Sequence, residues 1–325
     1  MHIPEGMLSI PVTGLAGLVS FATVAYAVSW VRQHLDDRKV VLMAVLGALI
    51  FALQMLNFPI QAGTSGHFAG GALAGILLGP WPAVLVMTAV LGVQAFLFGD
   101  GGVIALGANI LNLGILAPLV GYLVYQAATR WRDTRGGRMG GAFLGAWLSS
   151  LLAALAVAGE LGLSGTAHLG IALLAMGSTH ALIGIGEGLI TAALIAYLIA
   201  VRPDLLTGQV QDTGARPLRG VAVTLAAIAL LATGLSFLAS SAPDGLEWVY
   251  FDQGIGDAGA VAQAPRLLGD GGPLADYQVA GLANEALGRA LAGLVGLTIV
   301  GALLVAIVIR RRRQAGPQPE LQTTE

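Results

Sequence analysis

Residues 168–201, HLGIALLAMGSTHALIGIGEGLITAALIAYLIAV, run for 34 positions with a single carboxylate, Glu187, and two histidines. About 20 apolar residues let a helix cross the roughly 30 Å hydrocarbon core of a bilayer. A stretch this long and this apolar reads as a transmembrane helix, tilted or interrupted at Gly177, Gly184, Gly186 and Gly188. The rest of the chain agrees. Hydrophobic residues fill 56% of its 325 positions and charged residues 10%, against about 25% charged in soluble domains. So little charge could not cover the surface of a soluble protein. Mean hydropathy of +0.81 points the same way, and 47 glycines suit closely packed membrane helices.

Outward from 168–201, further apolar stretches lie at 11–31, 40–58, 67–79, 81–98, 103–129, 139–159, 220–240 and 286–309. The stretch 67–79 is short for a full crossing, and only Pro80-Trp81-Pro82 separates it from the next, which predicts a tight hairpin. The basic residues fix the direction. Arg32, Arg38 and Lys39 form one cluster; Arg130, Arg132, Arg135 and Arg138 a second; Arg202, Arg216 and Arg219 a third; Arg310 to Arg313 a fourth. Nine crossings place all four on one side, which the positive-inside rule makes cytoplasmic. The other side holds Met1, 59–66, 99–102, 160–167 and the long segment 241–285. In that segment Asp244, Glu247, Asp252, Asp257, Asp270, Asp276 and Glu285 face Arg266 alone. The expected fold is an all-α polytopic protein of the cell (inner) membrane, N-terminus outside and C-terminus cytoplasmic. Residues 1–201 make a seven-helix bundle. A cytoplasmic linker at 202–219 leads to a two-span unit with an extracytoplasmic loop at 220–313 and a disordered tail at 314–325.

The chain has no cysteine, so disulfides and thiolate metal sites are excluded and any metal must be held by nitrogen and oxygen. Its start, MHIPEG, lacks the basic region of a signal peptide and reads as the entry to an uncleaved first span. His2 and Glu5 then lie at the outer face. The α-amine of Met1, the deprotonated amide of His2 and a ring nitrogen of His2 can close fused five- and six-membered chelate rings. Three nitrogens in one plane suit Ni(II) or Cu(II), whereas zinc prefers a tetrahedron. The alternative is a polar cap without function. His67 is the best candidate for a fourth nitrogen: it follows the small run 62–66 on the same side and heads a Gly/Ala face. His34 reads as a solvated loop residue and His168 as interfacial. His180 and Glu187 share one face of a helix two turns apart, either as a functional intramembrane pair or as a hydrogen-bonded pair joining helices.

Several segments carry a family resemblance: MHIPEG at 1–6, HFAGGALAGILLGPWPAVLVMTAVLGVQAFLFGDGG at 67–102, ALGANILNLG at 105–114 and HALIGIGEGLITA at 180–192. Residues 1–201 resemble the CbiM/NikM substrate-binding components of nickel and cobalt energy-coupling factor (ECF) transporters. SAPDGLEWV at 241–249 is similar to the PDGLE-type, NikN-like two-span subunit. The resemblance implies a fused protein that takes Ni2+ or Co2+ as transported substrate, with no cofactor. It assigns the metal ligands to Met1, His2 and His67, and it is satisfied by Glu5 at the fifth position. Asp100 and Asn109 then become candidates for orienting the ligands or ordering their loop, or else cap helices. The acidic segment 241–285 is expected to concentrate cations, to touch the outer loops, or simply to be solvated. An α-amine and an imidazole both take up protons near or below neutral pH, so uptake is expected to fall on acidification.

The resemblance also implies a transmembrane coupling (EcfT-like) subunit and cytoplasmic ABC-type ATPase subunits. The chain is not itself an ATPase: it has no GxxxxGK[ST], and Lys39, its one lysine, stands in LDDRKVV. No nucleic-acid partner is expected. The faces Gly70/Ala74/Leu78 and Ala69/Leu73/Leu77 are candidates either for docking the coupling subunit or for packing inside the bundle. Four rival readings differ in class. One is a cobalt-specific component serving corrinoid synthesis. A second is an intramembrane enzyme using His180 and Glu187, which lacks HExxH. A third is an ion-coupled secondary transporter, for which the expected repeat is missing. The last is an ECF component for an organic vitamin, which leaves the Met1–His2 pair unexplained.

Overall fold

The computed structural model describes residues 1–35, 37–60, 63–201, 242–268 and 272–314, with isolated positions at 223, 227, 230, 231, 235, 239 and 240. The chain enters through an irregular segment, 1–8, and then forms α1 (Ile10–His34) and α2 (Asp37–Gln54). A two-stranded antiparallel hairpin follows, β1 (Asn57–Pro59) paired with β2 (Ser65–His67), in the register Asn57↔His67. Next come α3 (Gly71–Leu78) and α4 (Pro80–Val93), the latter running on as a π-helical turn over Gln94–Phe98. α5 (Leu106–Asn109) passes through a π-helical stretch, Ile110–Leu116, into α6 (Ala117–Trp131). Two long helices complete the first unit, α7 (Arg135–Ser164) and α8 (Leu169–Val201). Beyond them lie the short α9 (Gly245–Glu247), α10 (Ala258–Ala262) and the long α11 (Glu285–Gln314).

Local chemistry sets several of these limits. α1 has Pro11 in its first turn, where a missing N–H costs nothing, and Arg32 and His34 in its last, where cations face the carbonyl end. α7 begins where the Thr134 hydroxyl accepts the Gly137 N–H at 3.1 Å, and it ends at Gly165, left-handed at φ 70°. The apolar residues follow membrane rather than aqueous logic. α1 turns Phe21 outward, 75% exposed, and Leu18 with it, a face suited to lipid tails.

The interior is packed by small residues. On α7 the row Gly141, Gly145, Ser149, Ala153, Val157 and Leu161 repeats every four positions and is buried along its length; Gly141 and Gly145 meet α6 at Ala128 and Gly121, while α8 closes on α7 with Gly184 against Trp147 and Gly188 against Phe143. At the α3–α6 crossing, a methyl on Gly75 would run into the Pro118 backbone, and one on Gly121 into Ala72. α11 packs on α2 and α4 through Leu297, Val300 and Leu304, with Gly296 against Phe51 and Phe98. The last helix is part of the same body.

Six described helices are long and apolar enough to cross a membrane: Ile10–His34, Pro80–Phe98, Leu106–Trp131, Arg135–Ser164, Leu169–Ala200 and Glu285–Ala306. The protein is thus an all-α polytopic membrane protein, with one small hairpin that the sequence did not announce. Of the nine apolar stretches, two form shorter helices, and the third of them is the one whose sequence predicts too short a crossing and a tight turn at Pro80-Trp81-Pro82. The second stretch has a shorter apolar helix, Val41–Gln54. The third is an eight-residue helix, α3, about 12 Å long at 1.5 Å per residue, continued upward by extended chain. The α3–α4 turn nonetheless goes deep, because Trp81 meets Tyr26, in the second half of α1, edge to face. The linker 202–219, most of the span 220–240 and the tail beyond Gln314 lie outside the described residues. Of the two small-residue faces named for α3, Ala69, Gly70, Leu73 and Ala74 are buried within the bundle, as internal packing requires, while Leu77 and Leu78 at its end are half-buried.

Candidate metal centre

One end of the bundle gathers the N-terminal segment, the β-hairpin, the turn after α4, the α7–α8 turn and the segment 242–277. The N-terminal segment is buried here: Met1 and His2 are each 6% exposed, and Ile3 and Met7 are covered completely. Its backbone is held in place by side chains from the turn after α4. Asn109 accepts the Ile3 N–H at 2.8 Å and donates to the Ile3 carbonyl at 3.1 Å, while the Gly102 N–H donates to that same carbonyl at 2.8 Å. Glu5 accepts from the Val103 N–H at 3.1 Å and, from the C-terminal unit, the Leu267 N–H at 3.2 Å. Thr166 closes the segment by donating to the Met7 carbonyl at 2.7 Å.

So fixed, the chain terminus meets β2. The Met1 amine lies 2.8 Å from His67 Nε2, and the His2 and His67 rings stack with centroids 5.1 Å apart and planes within 9°. His67 Nδ1 and His2 Nε2 are buried with no hydrogen-bond partner among the described residues. His2 Nδ1 is 2.9 Å from Asp100, whose other oxygen accepts the Tyr277 hydroxyl at 2.7 Å. Gln94 donates to that hydroxyl at 3.1 Å.

Asp244 completes the cluster. Its carboxylate forms an ion pair with the Met1 amine and stands 3.7 Å from His67 Nε2. Its second oxygen caps α9, accepting the Leu246 and Glu247 N–H groups at 2.9 Å each. The segment that carries it pairs with the hairpin: the Ser65 N–H donates to the Pro243 carbonyl at 2.8 Å, and the Ser65 hydroxyl to the Ala242 carbonyl at 2.7 Å.

The charges reinforce one another. Burial and the neighbouring terminal ammonium hold the His67 imidazole below its usual pKa of 6.5, so it stays neutral with a lone pair to offer. Burial would raise Asp244, but the ammonium and His67 outweigh it and keep the carboxylate well below its usual range. Asp100 is likewise lowered, since attraction to His2 overcomes burial. Burial and the Asp244 charge push Glu247 up.

Of the ligands the resemblance assigned, Met1, His2 and His67 are thus brought together; Asp100 contacts His2 directly, and Asn109 holds the adjoining Ile3 backbone. His34 stands apart, stacked on Trp30. The sequence reading passed over Asp244 and Tyr277 as ligand neighbours. Asp244 stands in the most specific motif of the second unit, yet it was counted only as one acid among seven. Among the described residues no three His, Cys, Asp or Glu side chains converge as a metal-holding group, and the cluster here includes the terminal amine. The geometry suits that. Two nitrogens at right angles on an ion about 2.0 Å from each lie roughly 2.8 Å apart, the observed separation of the amine and His67.

The model of the cobalt uptake substrate-specific transmembrane region, CbiM, matches residues 2–205, and that of the PDGLE domain matches 219–313. A relative from Archaeoglobus fulgidus, named provisionally as a fused nickel transport protein NikMN, is 39% identical over 310 residues, 94% of this chain and 98% of that protein. The fused nickel transport protein NikMN of Rhodobacter capsulatus is 34% identical over 93% of this chain and 95% of its own length. The crystal structure of a truncated transition metal transporter covers 62% of this chain and 99% of its own, at 35% identity and a TM-score of 0.56. The chain therefore belongs to the CbiM family of substrate-specific transmembrane proteins, with a PDGLE domain following in the same polypeptide.

Proposed function

We propose that this chain is the substrate-binding subunit of an ATP-driven ECF-type importer, taking Ni2+ or Co2+ at the extracytoplasmic face and passing it inward. The coupling membrane subunit and the ATPases belong to other chains. The observation that carries this reading is the buried meeting of the Met1 amine with His67 Nε2 at 2.8 Å, beneath a stacked His2 ring. The amine, the His2 amide, His2 Nδ1 and His67 Nε2 supply four nitrogens, a planar set that favours Ni(II). The fused nickel relatives support the same choice of ion.

The carboxylates add a step. Asp100 holds the ring nitrogen that the six-membered chelate requires, and Asp244 holds the amine. An arriving dication takes over both nitrogens and loosens both carboxylates from them, so loading is sensed by Asp244 and Tyr277 of the C-terminal unit.

Inserting one alanine between Met1 and His2 keeps every side chain but enlarges the chelate. Calorimetric nickel affinity should fall by at least a hundredfold, and unchanged affinity would sink the planar site. His67→Ala should lose binding and His34→Ala should keep it.

A further inference from the structure

Directly beneath the terminal amine lies a cavity about the size of one water molecule, lined by Met1, His67, His180, Glu187, Ser150 and Gly245 among others. Two of its walls come from α8. His180 and Glu187 are each 1% exposed. They do not bond to each other, as a pair joining helices would. Each is anchored on one side and open on the other. His180 Nδ1 is 3.0 Å from the Met176 carbonyl, to which it donates, so the lone pair is left on Nε2. Nε2 itself has no partner among the described residues. Glu187 accepts the Gly70 N–H at 3.1 Å through Oε1, while Oε2 has no partner among the described residues. An imidazole tied through one nitrogen to a backbone carbonyl, with the other bare, is the usual arrangement of a metal-binding histidine. A carboxylate with one oxygen tied and one free matches it.

We infer that this cavity is an inner transit site for the divalent cation, with His180 Nε2 and Glu187 Oε2 as its donors. The assignment rests on the outer-site reading above. Both ends of the cavity support it. Its lining includes Met1 and His67, so the cavity adjoins the outer cluster. The two donors are seven residues apart on α8 and border one cavity of about a single water's volume. They therefore offer two weak holds rather than one closed cage. Weak holds allow an ion to leave as well as enter. Gly245 forms the roof, where a methyl group would lie 3.2 Å from His180 Nε2 and closer still to Ile183. The PDGLE segment thus covers the inner donor and holds the outer amine at once.

The test separates binding from passage. Glu187→Gln preserves an acceptor for Gly70, so a merely structural carboxylate would tolerate it; His180→Ala removes the other donor. Nickel affinity of each purified full-length variant should stay within about threefold of the parent. Radioactive nickel uptake by cells carrying the complete transporter should drop at least tenfold at equal protein level. Glu187→Asp should recover part of it. Unchanged uptake in both donor variants would overturn the assignment, and so would nickel affinity lost in step with uptake. Nickel binding that survives His67→Ala would instead overturn the outer-site reading, and the transit site with it.

Discussion

On the proposed reading the Met1 amine is a ligand only while its neighbours fix the backbone behind it, and Asn109 holds that backbone. Its amide makes a two-bond ring with the Ile3 backbone. Asn109→Ala leaves both groups buried without that partner. Each net hydrogen bond contributes about 1 kcal/mol, so the unfolding midpoint should fall. Nickel affinity, read by calorimetry, should drop on the order of 10- to 100-fold, as for other groups that orient ligands. His67 gives a pH signature. Its folded pKa lies below 6.5, so on acidification the unfolded chain takes up a proton before the folded one does, and stability declines as pH falls through about 6.5. Asp244 and Asp100, with lowered values, contribute stability that is present above the ordinary carboxylate pKa of about 3.9 and lost below it. Thermal midpoints in detergent should therefore begin to fall near pH 6.5, and His67→Asn should flatten that first limb and shrink the second, which the terminal ammonium and His2 still sustain.

Among the elements, α3 is the one most dependent on its neighbours. It is eight residues long and buried on most sides, so close backbone approach has to supply what length does not. Gly75→Val drives a side chain into the Pro118 carbonyl. Overpacking of this kind costs about 1–3 kcal/mol or more. Gly92, with open space around it, is the control: Gly92→Ala should hold or raise the unfolding midpoint, by up to about 1 kcal/mol of helix propensity, while Gly75→Val lowers it. The long helices were legible in the sequence because a bilayer demands long apolar runs and the arginines punctuate them. The hairpin at 57–67, the π-helical turns before Gly99 and after Asn109, and the shortness of α3 were not. Each depends on one or two local bonds that leave no periodic trace. That Met1, His2 and His67 lie together was legible through chelate chemistry and the family resemblance. Asp244 was not, since its place is set by pairing of 242–244 with Ser65, a contact across 179 positions that no local pattern records.

Considered as one body, the molecule sorts its chemistry by end. The terminus, the hairpin and the segments 242–268 and 272–277 collect at one end, while Arg32, Lys39, Arg130, Arg132, Arg135 and Arg138 lie at the α1–α2 and α6–α7 junctions, reached by following the helices away from it. The absence of native cysteine makes the orientation easy to measure. Gln263→Cys and Arg132→Cys both fall at exposed positions. A membrane-impermeant maleimide should label the first in intact cells and the second only after permeabilisation; the opposite pattern would invert the protein in the membrane. The ion pair of Met1 with Asp244 joins residues 243 positions apart. At a synthesis rate of about 5–20 residues per second, the terminal amine is made on the order of tens of seconds before its last partner exists. His67 reaches it first, then Asp100 and Asn109, and Asp244 only when most of the chain has been made. The cluster around the terminal amine is therefore finished late in biogenesis, and the amine must wait, correctly placed, for three quarters of the chain to arrive.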